Sequence, residues 1–191
     1  EKWKSIDILY FADSFGNMNH RDVKNTILSI KKGWSGKVGF HAHDNKGQAI
    51  TNCLTAIDNH IDIIDSTVLG MGRGAGNAKT ESLLVELTNR NLGNYFAEAL
   101  FPLVMQEFKT LQDKYEWGTN IYYYLSAIYG IHPTYIQEMI SDERYGSENI
   151  LSSINFLKLN KSSSFSFDNL NKANSGIIGN EKGSWSSKNW C

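Results

Sequence analysis

Cysteine and proline are nearly missing from this sequence, with two of each in 191 residues, and neither sign of charge is in excess. Cys53 and Cys191 lie far apart, the first inside a helix-like stretch. No disulfide framework is therefore expected, and a reducing, cytoplasmic setting is the default expectation. Lys and Arg number 19 against 20 Asp and Glu, a net charge of -1. That balance offers no cationic surface, so neither nucleic acid nor a membrane is expected as a partner. No stretch approaches the ~18 to 20 apolar residues of a membrane span. The opening EKWKSIDILY lacks the long apolar core of a signal peptide, and it also lacks an initiator Met. Because it runs at once into the strand-like IDILYFAD, the chain is expected to be a fragment of a larger protein.

What is there fits a globular fold, with 41% hydrophobic and 20% charged residues. Up to about residue 92 the pattern alternates. IDILYFAD (6–13), KVGFHAHD (37–44) and IDIIDSTVLG (61–70) read as strands. HRDVKNTILSIKKGW, QAITNCLTAIDNH and TESLLVELTNR carry apolar residues at helical spacing, such as Val23, Ile27 and Ile30. Strands alternating with helices through short loops imply an α/β fold with parallel strands. Residues 93–160 differ in kind and predict a helical extension: one long helix bent or begun near Pro102, then NIYYYLSAIYG, HPTYIQEMIS and SENILSSINFLKL. Residues 161–191, rich in Ser, Asn, Lys and Gly, read as a linker or disordered tail, with SGIIGNEKGSW as the alternative opening of a further domain.

The chemistry-bearing stretch is GFHAHDN, 39–45. Residues two apart on a strand share a side, so His41 and His43 can converge on one ion at the strand's C-terminal end, where parallel α/β folds place their sites. A bare HxH is more often just two polar residues at a strand end. The neighbouring Asp44 and Asn45 raise the metal reading, and two neutral imidazoles would need a carboxylate beside them. The second stretch is GMGRGAGN, 70–77, with four glycines in eight residues that let backbone approach a ligand. Within it Gly72 and Gly74 flank Arg73, a cationic fork for a carboxylate or phosphate, or simply a packed turn residue. The spacing is not the GxGxxG of a dinucleotide loop. Asn77 has an amide to offer, and Glu81 falls in the next helix's first turn.

Asp13 and Ser14 end the first strand at the same rim. Asp13 reads equally as a ligand or as a cap of the following turn. His20 reads as near the site or, more often, as merely in a loop, His60 as non-catalytic, and Cys53 as packed. Tyr122, Tyr123, Tyr124, Tyr129, Tyr135 and Trp117 read as core and interface residues of the helical part.

Three blocks, YFADSFGNM (10–18), GFHAHDNKGQAITNCLTAI (39–57) and IDSTVLGMGRGAGNAKTESLL (64–84), together resemble the HMG-CoA lyase-like superfamily of metal-dependent TIM barrels. They are similar to that family's Asp-Thr/Ser-x-Gly strand end, its HxHNDxGxAxANxxxAI block and its final strand and loop. HDN stands where the family usually has HND. The last loop lacks the Glu of the acyl-transferase branch (GxGERAGN) and is similar to that of the 4-hydroxy-2-oxovalerate aldolases. The stretch WGTNIYYYLSAIYGIHPTYIQEMI further resembles aldolase-like proteins of bacterial surface-polysaccharide gene clusters.

The resemblance implies the C-terminal part of a TIM (β/α)8 barrel, strands six to eight, followed by a helical extension. It implies a lyase that cleaves or forms a carbon–carbon bond of a 2-oxo acid through a pyruvate enolate, with Mn²⁺, or Mg²⁺ or Co²⁺, as cofactor. His41 and His43 are the implied metal ligands, and Asn77 a further ligand or a neighbour of one. Arg73 and Asp13 are the candidate catalytic residues, and Ser14, Asn45, Gly72 and Gly74 the candidate substrate rim. The third ligand and the base would lie outside this chain. Alternatives are an acyl-CoA-dependent synthase and an inactive fragment that only binds a partner. The helical extension would serve a homodimer or docking to a dehydrogenase.

Overall fold

The computed structural model describes residues 5–178, in two compact units that divide between Asn120 and Ile121. The first unit is built on a three-stranded parallel sheet in the order β1 (Ile8–Asp13), β2 (Lys37–Ala42), β3 (Ile63–Asp65). The registers Ala12↔His41 and His41↔Asp65 bring the C-terminal ends of all three strands together. Helices α1 (His20–Gly33) and α2 (Ala49–Asp58) connect them, and α3 (Thr80–Asn89) follows.

Strand alternation decides which face the helices cover. Val38, Phe40 and Ala42 are fully or almost fully buried, and Phe40 stacks on Phe11 at 4.6 Å. Phe40 and Ala42 pack with Val23 and Ile27 of α1, with Ala49, Cys53, Leu54 and Ala56 of α2, and with Leu83 of α3. Each large aliphatic or aromatic side chain so buried contributes about 1.5–3 kcal/mol. α1 opens on a capping box, in which the Asn19 side chain accepts from Arg21 and Asp22 and the Asp22 carboxylate accepts from Asn19 N at 2.9 Å. Tyr10, Gly39 and His41 occupy the opposite, uncovered face.

Two expected elements come out differently. The third strand stops at Asp65, and Val68–Gly70 is a 3₁₀ turn in which Leu69 adopts φ 52°. The apolar run misleads because Leu69 N is drawn out of strand geometry by the Glu81 carboxylate, at 3.0 Å. The long helix expected near Pro102 is a succession: a 3₁₀ turn (Ala97–Leu100), α4 (Phe101–Leu103), a π-turn (Val104–Phe108) and α5 (Lys109–Tyr115). It belongs with the sheet's unit, so the division falls well after the expected residue 92.

The second unit holds α6 (Ile121–Tyr129), α7 (Thr134–Ser141), α8 (Ser147–Leu159) and α9 (Phe167–Ile178). The expected tail is thus ordered at least through α9. Tyr135, fully buried, donates to Ser164 O at 2.9 Å and accepts from Ser166 N at 3.0 Å, which ties down the connection into α9. Leu170 and Ala173 are buried, and the buried Ser153 hydroxyl donates to Asn174 Oδ1 at 2.9 Å. A polar composition conceals this helix because part of its packing is made by a polar pair. Residues 179–191, the rest of the expected tail, lie outside the described residues. Among the described residues no helix is long and apolar enough to cross a membrane.

Candidate metal centre

His41 lies on β2 and His43 just beyond its end, with the imidazole rings edge to face and their centroids 4.8 Å apart. Each ring has its Nδ1 committed. His41 Nδ1 stands 3.3 Å from Asp65 Oδ2 on β3, and His43 Nδ1 stands 2.8 Å from the backbone carbonyl of Asp13 at the end of β1. A carbonyl oxygen can only accept, so His43 Nδ1 carries the proton, and the carboxylate assigns His41 the same tautomer. In its neutral form each imidazole therefore holds its lone pair on Nε2. Two neighbouring imidazoles, each with an oxygen acceptor on Nδ1 and Nε2 left over, fit a histidine contribution to a divalent cation. Among the described residues no cluster of three or more His, Cys, Asp or Glu could by itself hold a metal ion.

The rim loop after β1 is held by Asp13, which is 2% exposed. Its two carboxylate oxygens accept from Asn17 N and Met18 N, each at 3.0 Å. Of the two sequence readings of Asp13, the cap is the one these two bonds make. Burial raises its carboxyl pKa, against the lowering effect of those two bonds and of His43 and Lys46. Ser14, the next residue, is exposed. Asn45 is 4% exposed. Its side chain occupies the space over Gly16, where a Cβ would come within 2.3 Å of Asn45 Oδ1, and Gly16 adopts φ +58°. Thr119 Oγ1 donates to Asn45 O at 2.9 Å.

The glycine loop returns alongside the histidine strand. His43 and Asn77 form an antiparallel bridge, Ala78 N donates to Ala42 O at 3.2 Å, and Asp44 N to Gly76 O at 3.0 Å. Asn77 Nδ2 donates to Met71 O at 3.0 Å, which leaves Oδ1 as the side-chain atom not committed to the loop. Gly72 is required beside it, since a Cβ there would sit 2.5 Å from Asn77 Nδ2. Arg73 is exposed at the loop tip, and Gly74 O accepts from Gly118 N at 2.9 Å. Trp117 is 7% exposed and donates through Nε1 to Leu69 O at 3.0 Å. It is a support of this loop, not a core residue of the helical extension. A cleft of about 480 Å³ opens beside the loop, lined by residues including Asp44, Asn77, Lys79, Glu116 and Trp117; neither histidine lines it.

Sequence reasoning missed Asp65 and Tyr10. Burial, then the charge and the carboxylate of the neighbouring Asp65, raise the Tyr10 phenol above its usual pKa. Both positions share the face of His41, a signal that strand register alone would have given. His20 opens α1 and is exposed, and His60 lies beyond α2 with φ 60°; neither joins the site.

The sequence profile of the HMGL-like family matches residues 5–109. The chain is 47% identical over 81 residues to the 4-hydroxy-2-oxovalerate aldolase of Carboxydothermus hydrogenoformans, covering 42% of this chain and 24% of that one. It is 38% identical over 98 residues to 4-hydroxy-2-oxovalerate aldolase 2 of Nocardia farcinica, covering 51% of this chain and 28% of that one. The chain thus spans about a quarter of the length of these curated relatives. Among solved structures, the N-terminal domain of a candidate aldolase from Bacteroides vulgatus matches with a TM-score of 0.67 at 38% identity, covering 76% of this chain and 47% of that one. The carboxyl transferase domain of Rhizobium etli pyruvate carboxylase, solved with pyruvate and biocytin, matches with a TM-score of 0.64 over 92% of this chain and 32% of that one. At 12% identity that is a likeness of fold alone.

Proposed function

The chain belongs to the HMGL-like family, and from that premise we propose that it carries the two-histidine part of a divalent-metal centre in an aldolase-type lyase. Its substrate would be a 2-oxo acid of the 4-hydroxy-2-oxovalerate class, cleaved or formed through a pyruvate enolate. The single observation that carries this reading is the shared arrangement of His41 and His43, with Nδ1 of each on an oxygen acceptor and Nε2 of each left as the basic nitrogen. The names of the relatives support the aldolase class. In this reading β1 to β3 are the sixth to eighth strands of a TIM barrel, and the helical residues after them are its extension.

A bound Mn²⁺, or Mg²⁺ or Co²⁺ in its place, would supply Lewis acidity where negative charge develops on the 2-oxo acid. The chain's own residues do the rest that falls to this part. His41 and His43 would hold the ion, and Asn77, whose backbone bridges His43, would offer its amide oxygen as a further neutral donor. The exposed guanidinium of Arg73 meets the substrate's carboxylate from the loop tip, a pairing suited to its planar fork. Gly72 and Gly74 let the loop backbone lie close. Asp13 holds the rim and His43 through its backbone carbonyl.

The test is calorimetric titration of Mn²⁺ into the full-length protein together with pyruvate release from 4-hydroxy-2-oxovalerate. His41→Ala and His43→Ala are each expected to abolish measurable Mn²⁺ binding and pyruvate release. Unchanged Mn²⁺ affinity in both variants would rule out the ligand assignment. Release of pyruvate that survives removal of the ion with EDTA would rule out the metal-dependent lyase.

A further inference from the structure

Three side-chain positions on the uncovered face of the sheet form one chain of contacts. Ala12, His41 and Asp65 are register partners on β1, β2 and β3, and Tyr10, Gly39 and Ile63 are partners one step earlier. Tyr10 stands on β1 and its ring lies over Gly39 of β2. From there its hydroxyl is carried toward Asp65 of β3, a span of two strand spacings or roughly 9–10 Å. A Cβ on Gly39 would lie 2.4 Å from two of the ring's atoms. The Asp65 carboxylate faces His41 Nδ1 at 3.3 Å.

We propose that Tyr10, Gly39 and Asp65 are a positioning device for His41: the Tyr10 hydroxyl holds the Asp65 carboxylate, which keeps His41 in its Nδ1–H form and so presents Nε2 to a divalent cation. The proposal rests on the metal-centre reading above for the identity of the ligand, but the state of His41 is its own. Without Asp65 the imidazole has no acceptor on Nδ1 and reverts toward the Nε2–H form that is ordinary in water, which has no lone pair on the nitrogen meant for the ion. His43 is immune, because its Nδ1 is held by the Asp13 backbone carbonyl, which no side-chain substitution removes. Gly39 acts at one remove: it is the clear track that lets a residue on the first strand reach a residue on the third.

The experiment is long-range ¹H–¹⁵N imidazole spectroscopy on the metal-free full chain, followed by calorimetric titration with Mn²⁺. In the wild type His41 is expected as the Nδ1–H tautomer. Asp65→Ala should move His41, and not His43, toward Nε2–H, and should weaken Mn²⁺ binding by roughly 10–100-fold, as is usual for loss of an acceptor behind a ligating histidine. Asp65→Glu should restore part of both, and Tyr10→Phe should move both in the same direction by less. Should Asp65→Ala lose the native circular-dichroism spectrum, Asp65→Leu keeps the bulk, offers Nδ1 no acceptor and carries the same readout. A wild-type His41 found as Nε2–H, or a folded Asp65→Ala or Asp65→Leu protein that leaves the His41 tautomer unchanged, overturns the proposal. If His41 follows Asp65 as expected but the wild type binds no Mn²⁺, the positioning of His41 stands and the metal-centre reading fails.

Discussion

Tyr10 lies across Gly39 so closely that a methyl group on that glycine would come within 2.4 Å of the phenol ring. Tyr10 is 44% exposed, so the ring has solvent to retreat into. Gly39→Ala is therefore expected to eject the ring at a small cost in stability, below about 1 kcal/mol, since no close-packed core must open. Comparison of the Gly39→Ala and Tyr10→Phe proteins by tyrosine absorbance titration checks it. The raised Tyr10 phenol should return toward its ordinary pKa in Gly39→Ala and be missing in Tyr10→Phe.

Asp13 gives a pH prediction with a definite sign. Burial is the largest influence on its carboxyl and raises the folded-state pKa above 3.8. The folded chain thus binds this proton more tightly than the unfolded chain, so the Asp13 contribution to stability falls as pH rises from about 3.8 through the folded value. Asp13→Ala removes that slope but also strands the amides of Asn17 and Met18. At neutral pH the variant is expected to be about 1–3 kcal/mol less stable, because part-buried donors lose their acceptor. Urea unfolding of both proteins across pH 3.5 to 7 reads the slope and the offset.

Gly76 and Gly47 separate backbone strain from steric collision. Both have positive φ, +77° and +67°, but a Cβ at Gly76 would sit 2.3 Å from the Gly70 carbonyl oxygen, whereas at Gly47 nothing lies within 4 Å. Gly47→Ala should cost only the conformational penalty, about 1 kcal/mol. Gly76→Ala should cost several times that, because the obstacle is backbone and cannot rotate away. Chemical denaturation of the two variants is the measurement, and equal losses would contradict it.

Cys53 is fully buried, and burial first, then the charges of Asp44 and Asp65, push its thiol up to about 12 from 9.0. A rise of that size lowers the thiolate fraction roughly a thousandfold at neutral pH, and the thiolate is the nucleophile. In a Cys191→Ser background, alkylation by iodoacetamide should therefore be at least ~100-fold slower in the folded chain than in urea. The same shift makes the folded state hold its proton longer, so stability falls as pH rises above 9.

Much of the sheet unit was legible in the sequence, because apolar alternation and helical spacing are local signals. β1 and β2, with α1 to α3, lie where the periodicity puts them. The HxH pair was legible as a pair because two-residue spacing on a strand fixes the side. Its support was not. Asp65 lies 24 residues from His41 and meets it only through register, and Tyr10 meets Asp65 only because Gly39 is small. Asp13 could be read two ways, since a carboxylate at a strand end serves a ligand or a turn equally well until the amides of Asn17 and Met18 are in place. Leu69 broke the third strand although Val68-Leu69 is apolar, because its amide is claimed by Glu81. Trp117 and α9 were misplaced for a related reason: their partners, Leu69 O and Ser153, are distant in sequence and polar.

The base and the tip of the glycine loop are mechanically different objects. At the base, Asn77 N donates to Gly70 O at 3.0 Å while Ala78 and Asp44 exchange backbone bonds with the loop and the histidine strand, so residues 70 and 76–78 are effectively an extension of the sheet. The tip is pinned at Met71 O by Asn77 Nδ2 and at Gly74 O by Gly118 N, and what it presents outward is the exposed side chain of Arg73. Evolution, or an engineer, can therefore rewrite the tip as a cassette for a different substrate while the backbone that carries His43 keeps its place.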